Sequence, residues 1–373
     1  MITPLLGCVL LAVLAALRVS PGIKRMPRWY SFLVPLGIWV VVINVSMPAP
    51  KSYPDSPAPG LVLQAKQKLD AQDLARVQYV ILVEGSSLTM NGFDGNRVQT
   101  VLTQRGIPAI ILQLSSAGAN HAERYQYLKE FMEALRPDQI DALRRIKVVL
   151  CHEVELGYDR NPLNGFLRNG STGRSMRYLG PDNFPIIFSW LALKFGPTDW
   201  FKKHNLLTDL AGCGLFNLFH VGYVPRMEEL VPTAKTEPFF PNITQSPTFT
   251  ATRSLDAVAD AVLDKRSVAN FSSNLPWQRK RDRDFREIFR GLITSECYFT
   301  FPSWSKWDAD YNAWKRRQPG NALFFDGTVT PLVKELDQPA LWYDQLHLQL
   351  AGAEIYSEAF ARYLVEQIQS KSL

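Results

Sequence analysis

Cysteine is scarce in this chain, with 4 in 373 residues, and histidine nearly as scarce, with 5. That density excludes a disulfide-stapled scaffold. Cys8, Cys151, Cys213 and Cys297 lie far apart, and their spacing matches no zinc pattern. Of the last three, at most one pair can close a disulfide, so at least one buried free thiol is expected. No metal and no cofactor is expected from the residues. A strong charge of one sign is also missing. The net charge is +6, from 41 basic and 35 acidic residues, and the excess is scattered. The basic stretch Arg279-Lys280-Arg281-Asp282-Arg283 is interrupted by an acid. It reads as a solvated helix face, and no nucleic-acid partner is expected. A modest basic excess suits a domain held beside an anionic membrane surface. Internal repeats are absent, and the only biased segment is a proline cluster.

Two long uncharged apolar runs lie at the N-terminus. Ile2 to Leu17 is uncharged, and Trp29 to Met47 is a second uncharged run. The second is long enough to span a bilayer at about 1.5 Å rise per residue. Arg18, Lys24, Arg25 and Arg28 lie between them. The positive-inside rule places that loop in the cytoplasm and everything after Met47 outside it. Residues 1–47 are therefore expected to form a transmembrane hairpin, or one span after a short apolar segment. Alternatively, Arg25 and Arg28 open a signal peptide whose apolar core is Phe32 to Val45. Either reading exports the rest. Leu5-Leu6-Gly7-Cys8 has no basic region before it and is discounted as a lipoprotein box. Residues 48–60 carry Pro48, Pro50, Pro54, Pro57 and Pro59, a stiff spacer in front of a domain over 61–373.

Within that domain, helical and strand-like segments alternate. Helices are expected over Leu61–Ala75, Asn96–Gln104 and Ala122–Leu135. Buried strands are expected over Tyr79–Val83, Ile107–Leu114 and Ile146–Cys151. The spacing argues a parallel α/β sheet. From about 161 to 250 no period holds, and an irregular insertion is expected there. It contains apolar stretches at Phe184–Phe195 and Leu206–Val221 and covers the sheet or faces the membrane. Regularity returns with helices over Ser254–Leu263, Arg279–Ile293, Trp304–Arg317 and Ala353–Ile368. Strands are expected over Cys297–Phe301 and Leu323–Phe325.

Two short stretches carry chemistry. Tyr79 to Val83 runs into Glu84-Gly85-Ser86-Ser87-Leu88-Thr89. This places serines where a central strand ends, the edge at which open α/β sheets bind ligands. Near the C-terminus, Asp344 and His347 stand three residues apart. At that spacing the carboxylate can hold one ring nitrogen while the other faces a serine, which is what a general base requires. None of His121, His152, His204 and His220 has a carboxylate placed this way with a helix immediately after.

Gly85-Ser86-Ser87-Leu88-Thr89, with Gly92, resembles the first block of the GDSL/SGNH hydrolase superfamily. Asp344-x-x-His347-Leu348, followed by Ala351-Gly352-Ala353, resembles its last. The resemblance implies a flavodoxin-like three-layer α/β/α sandwich around a parallel sheet. It implies Ser87 as nucleophile, His347 as base and Asp344 as its orienter. It also implies an oxyanion hole from the Ser87 amide and Gly118, with Asn161 or Asn164 in place of an unrecognisable third block, or His152 substituting. Ser86 replaces the family's usual aspartate, as in the membrane-anchored branch that includes the D-alanyl transfer proteins of teichoic acid. The activity implied is that of an exported esterase or O-acyltransferase on acyl, chiefly acetyl, groups of an envelope or secreted polysaccharide. It would sit on the extracytoplasmic side of a bacterial-type inner membrane, and a multi-spanning membrane O-acyltransferase could supply its acyl group. Trp342 and Tyr343, next to the Asp–His pair, are the candidate sugar-binding aromatics. A non-catalytic glycan-binding scaffold and a lipase or thioesterase remain the alternatives.

Overall fold

The computed structural model describes residues 58–116, 119–154, 183, 185–193, 265–302, 323–327 and 330–373. The N-terminal apolar runs, most of the spacer and most of the expected insertion lie outside the described residues. So do the helices expected over Ser254–Leu263 and Trp304–Arg317. Among the described residues no helix is long and apolar enough to cross a membrane.

Among the described residues five strands form one sheet: β1 Tyr79–Gly85, β2 Ala109–Ser115, β3 Lys147–Glu153, β4 Ile293–Phe299 and β5 Leu323–Phe325. Every pairing is parallel, in the order β2-β1-β3-β4-β5. The order reverses direction between β1 and β3, and the crevice beyond their C-terminal ends is where such sheets bind ligands.

Both faces of the sheet are covered. The apolar runs read from the sequence are runs because alternate residues enter two separate cores. Val80, Leu82, Ile110, Leu112, Val148 and Leu150 enter the first. Helices α1 Ala58–Asp70, α4 His121–Ala134, α5 Pro137–Leu143, α6 over 185–193 and α7 Lys265–Ile288 supply its other side. Ile81, Val83, Ile111, Val149, Cys151 and Cys297 enter the second core. They meet α3 Gly95–Gln104, α8 Thr330–Leu336 and α9 Leu350–Gln369. In α6, Ile187, Trp190 and Leu191 are fully buried, so this part of the expected insertion covers the sheet.

Several boundaries differ from expectation for local reasons. Helix α1 starts at Ala58, inside the expected spacer, with Pro59 in its first turn, where the missing N–H is no loss. It stops at Asp70, and a separate 3₁₀ turn, Leu74–Arg76, follows under an Asp73 cap. Strand β2 starts after Pro108, which has no amide to give the ladder. The helix expected to reach Ile293 ends at Ile288. Arg290 and Gly291 turn through φ of 48° and 83°, and β4 begins at Ile293. Cys151 and Cys297 are register partners on β3 and β4, both free and fully buried. Burial, with Cys297 alongside, holds the Cys151 thiol well above its usual pKa. Cys8 and Cys213 lie outside the described residues.

Candidate active site

Strand β1 ends at Gly85, and helix α2 Ser87–Gly92 starts two residues later. Ser86 is the N-cap, its hydroxyl accepting from the Leu88 amide at 3.2 Å. The turn is tight enough to require glycine at 85. A Cβ there would overlap the Thr89 side chain and come within 2.6 Å of Glu153 Oε2. Ser87 is the first residue of α2, so its amide is one of the helix-start N–H groups with no carbonyl to serve inside the helix.

His347 arrives from the far end of the chain. A 3₁₀ turn, Pro339–Leu341, leads into a short loop closed by an antiparallel bridge between Trp342 and Leu348. The Tyr343 amide donates to the His347 carbonyl at 2.8 Å, and the Gln349 amide to the Leu341 carbonyl at 2.9 Å. Helix α9 packs directly under this loop, close enough that a Cβ on Gly352 would lie 2.5 Å from the Leu341 carbonyl oxygen. That contact accounts for the glycine at 352.

The two stretches meet. His347 Nε2 lies 2.9 Å from Ser87 Oγ. His347 Nδ1 lies 2.9 and 2.8 Å from the two Asp344 oxygens. Asp344 Oδ1 also accepts from the amides of Leu346 and His347, at 2.7 and 2.8 Å. Partial burial alone would raise the Asp344 pKa, but the hydrogen bonds from His347 and these amides outweigh it and hold it below the usual value. An ionised Asp344 keeps the ring proton on Nδ1, leaving Nε2 to accept from the Ser87 hydroxyl. The Asp344 side chain is 41% exposed and that of His347 19%, so the array opens to solvent at the carboxylate end. Chemically, it can take the proton from a serine as that serine attacks an electrophilic carbonyl.

The structure treats the other candidates differently. Gly118, Asn161 and Asn164 lie outside the described residues. Trp342 is fully buried and donates from Nε1 to the Leu336 carbonyl at 2.8 Å. It is a core residue, not a sugar platform, because the bridge to Leu348 turns it inward. Its neighbour Tyr343 is 38% exposed. His152 is fully buried between Glu84 Oε1 at 3.1 Å and Glu296 Oε1 at 3.4 Å, so both ring nitrogens are engaged and it does not stand in as an oxyanion donor. The basic stretch is also not wholly a solvated face. Arg281 is buried against Asp282 and His121, and Lys280 pairs with Asp284.

Sequence reasoning missed what lies beneath the serine. Glu84, Glu153, Arg124 and His152 are fully buried at the C-terminal end of the sheet. Arg124 reaches Glu153 Oε1 at 3.2 Å and Glu84 Oε2 at 3.5 Å. His152 joins Glu84 to Glu296, which also pairs with Arg286. The available signal was acidic residues inside strands otherwise reading as buried, since buried charges persist only when paired.

The His152 site gives a pH prediction. Burial alone would lower its pKa, but the bonds to Glu296 and Glu84 outweigh burial and raise it from 6.5 to about 9. A group whose folded pKa is raised stabilises fully below its unfolded pKa and loses that stabilisation as pH climbs through the folded one. A shift to about 9 corresponds to on the order of 3 kcal/mol. The melting temperature of the full chain should therefore fall between pH 6.5 and 9. In His152→Gln the slope over that window should flatten, whatever the absolute stability. An unchanged slope would remove His152 as its source.

Comparison with protein-family models finds no match to this chain, and comparison with curated proteins finds none either.

Proposed function

We propose that this chain is an exported, membrane-anchored serine esterase or O-acyltransferase. It takes an acyl group from an ester onto Ser87 and passes it to water or to a sugar hydroxyl of an envelope or secreted polysaccharide. One observation carries the reading. Ser87, His347 and Asp344, from opposite ends of the domain, form one continuous hydrogen-bonded array. A structural role explains a serine–histidine contact or a histidine–aspartate contact separately. The ordered series, at the ligand-binding edge of the sheet, is the arrangement that makes a hydroxyl nucleophilic.

In the acylation step, Ser87 Oγ attacks the ester carbonyl carbon and its proton passes to His347 Nε2. The oxyanion forms beside the Ser87 amide, a preorganised donor of the kind that contributes most to such reactions. Collapse breaks the carbon–oxygen bond to the leaving alcohol, which takes the proton from His347. In the second step a water or sugar hydroxyl gives His347 its proton and attacks the acyl-serine, and the proton returns to Ser87. Asp344 holds the ring throughout.

The resemblance of the Gly85–Thr89 and Asp344–Leu348 stretches to the SGNH superfamily supports the same reading, as does the flavodoxin-like strand order. The exposed Tyr343, whose amide donates to the His347 carbonyl, supports a sugar acceptor, since an aromatic face stacks on a pyranose ring. The apolar runs before Met47 support anchorage.

The test is to trap the intermediate. The full-length chain in detergent is mixed with p-nitrophenyl acetate, quenched in acid and digested. An acetylated Ser87 peptide, with a burst of nitrophenol absent from His347→Ala, is the expected result. Nitrophenol release with the acetyl group on another residue would overturn the assignment.

A further inference from the structure

We propose that Glu153 is a positioning residue for Ser87, a carboxylate delivered from β3 that locks the turn carrying the nucleophile. This rests on the reading of Ser87 as nucleophile. Glu153 is fully buried and takes donors from both sides of that serine. Its Oε2 accepts from the Ser86 amide at 2.8 Å, the Thr89 amide at 3.1 Å and the Thr89 hydroxyl. Its Oε1 accepts from the Ser86 hydroxyl at 2.7 Å and from Arg124 Nη2 at 3.2 Å. A side chain surrounded by donors alone is an acceptor-only group, which a carboxylate is.

Ser87 therefore sits in a four-residue window, 86 to 89, whose two ends are tied to one side chain. The purpose of such a tie follows from the distance on the other side. Ser87 must meet His347 at 2.9 Å although the two are 260 residues apart. Misplacement of reacting atoms by about 1 Å can cost 100-fold in rate. Glu153 fixes the residues on either side of Ser87, and through them its place at the start of α2.

The same contact accounts for two features of the sequence. Gly85 is required because the Thr89 side chain, itself bonded to Glu153, and Glu153 Oε2 together occupy the space a Cβ would need. Ser86, where the resembled family has aspartate, donates to Glu153 Oε1. A second carboxylate there would face the first with no proton between them. The carboxylate absent from position 86 thus arrives from β3. Its charge is balanced by Arg124. Glu153, Arg124, Glu84, His152, Glu296 and Arg286 alternate acid and base from the turn out to the surface.

The test compares fluorophosphonate labelling of Ser87 at saturating reagent in full-length wild type, Glu153→Gln, Ser86→Ala and Thr89→Val. Labelling is normalised to folded protein, and kcat and KM are measured on p-nitrophenyl acetate. Glu153→Gln replaces one acceptor oxygen with a donor facing donors. Its labelling rate and kcat should fall about 100-fold with KM nearly unchanged. Ser86→Ala and Thr89→Val each remove one hydroxyl donor and leave the carboxylate in place, Ser86→Ala together with the cap of α2. Thr89→Val should therefore lose about 10-fold, the share of one hydrogen bond to a charged group, and Ser86→Ala at least as much. A role limited to stability would move the folded fraction and leave the normalised rates alone. Folded Glu153→Gln labelling within twofold of wild type would overturn the proposal. If that variant does not fold, unchanged rates in both of the others would overturn it equally. Wild type that takes no label would remove the nucleophile itself, and both readings would fall together.

Discussion

Ser87→Ala should abolish turnover and leave the fold in place. The loss in kcat should be at least about 10⁴-fold, because removing the nucleophile of a serine–histidine pair leaves only binding and oxyanion stabilisation. The melting temperature should stay nearly unchanged. Ser87 is half-buried at the first position of a short helix, and its hydroxyl's partner is His347 Nε2. That nitrogen can turn to water when the hydroxyl is gone, and surface substitutions of this kind usually stay within about 0.5 kcal/mol. The cap of α2 belongs to Ser86 and is untouched. Activity assays and thermal unfolding on the same preparation check both halves. A variant that retains turnover would place the chemistry elsewhere.

Asp344→Asn should produce the second largest loss, through the tautomer of His347. The asparagine oxygen can keep the two amide bonds from Leu346 and His347. Its NH₂ group then faces His347 Nδ1, and a donor at that place favours the tautomer with the proton on Nε2. The ring would present a donor to Ser87 instead of an acceptor. A buried triad aspartate replaced this way loses about 10⁴-fold in kcat. Here the carboxylate is 41% exposed. Water can compete for Nδ1, so the expected loss is smaller, about 10² to 10³-fold. The loss should lie in kcat rather than KM, and the fold should remain intact. A near-wild-type rate would mean that Asp344 does not control the ring.

The serine, the histidine and the aspartate were legible because each sits in a local pattern. Ser87 follows an apolar strand and a glycine, and Asp344 and His347 share one turn. The parallel sheet was legible for the same reason. Tyr79–Val83 and Val148–Cys151 are continuous apolar runs because both faces of β1 and β3 are buried. Glu153 was not legible as a partner of Ser86, since their contact spans 67 residues and depends on how β1 and β3 align. Arg124 was hidden in the same way, as one basic residue on a helix otherwise read only for its period. Trp342 and Tyr343 looked equivalent in the sequence. The bridge to Leu348 sends the first into the core and the second outward, and adjacency to the triad cannot distinguish them. The end of α7 was misplaced because Phe289 and Leu292 continue its apolar stripe. Arg290 and Gly291, both at positive φ, stop the helix before that pattern does.

Covalent labelling tests most directly whether Ser87 is an activated nucleophile. The full-length chain is treated with a serine-directed fluorophosphonate, and the labelled residue is located by mass spectrometry. Label on Ser87 in wild type and loss of that label in His347→Ala are the expected result. Label distributed over other serines, or on Ser87 at the same rate without His347, would contradict it.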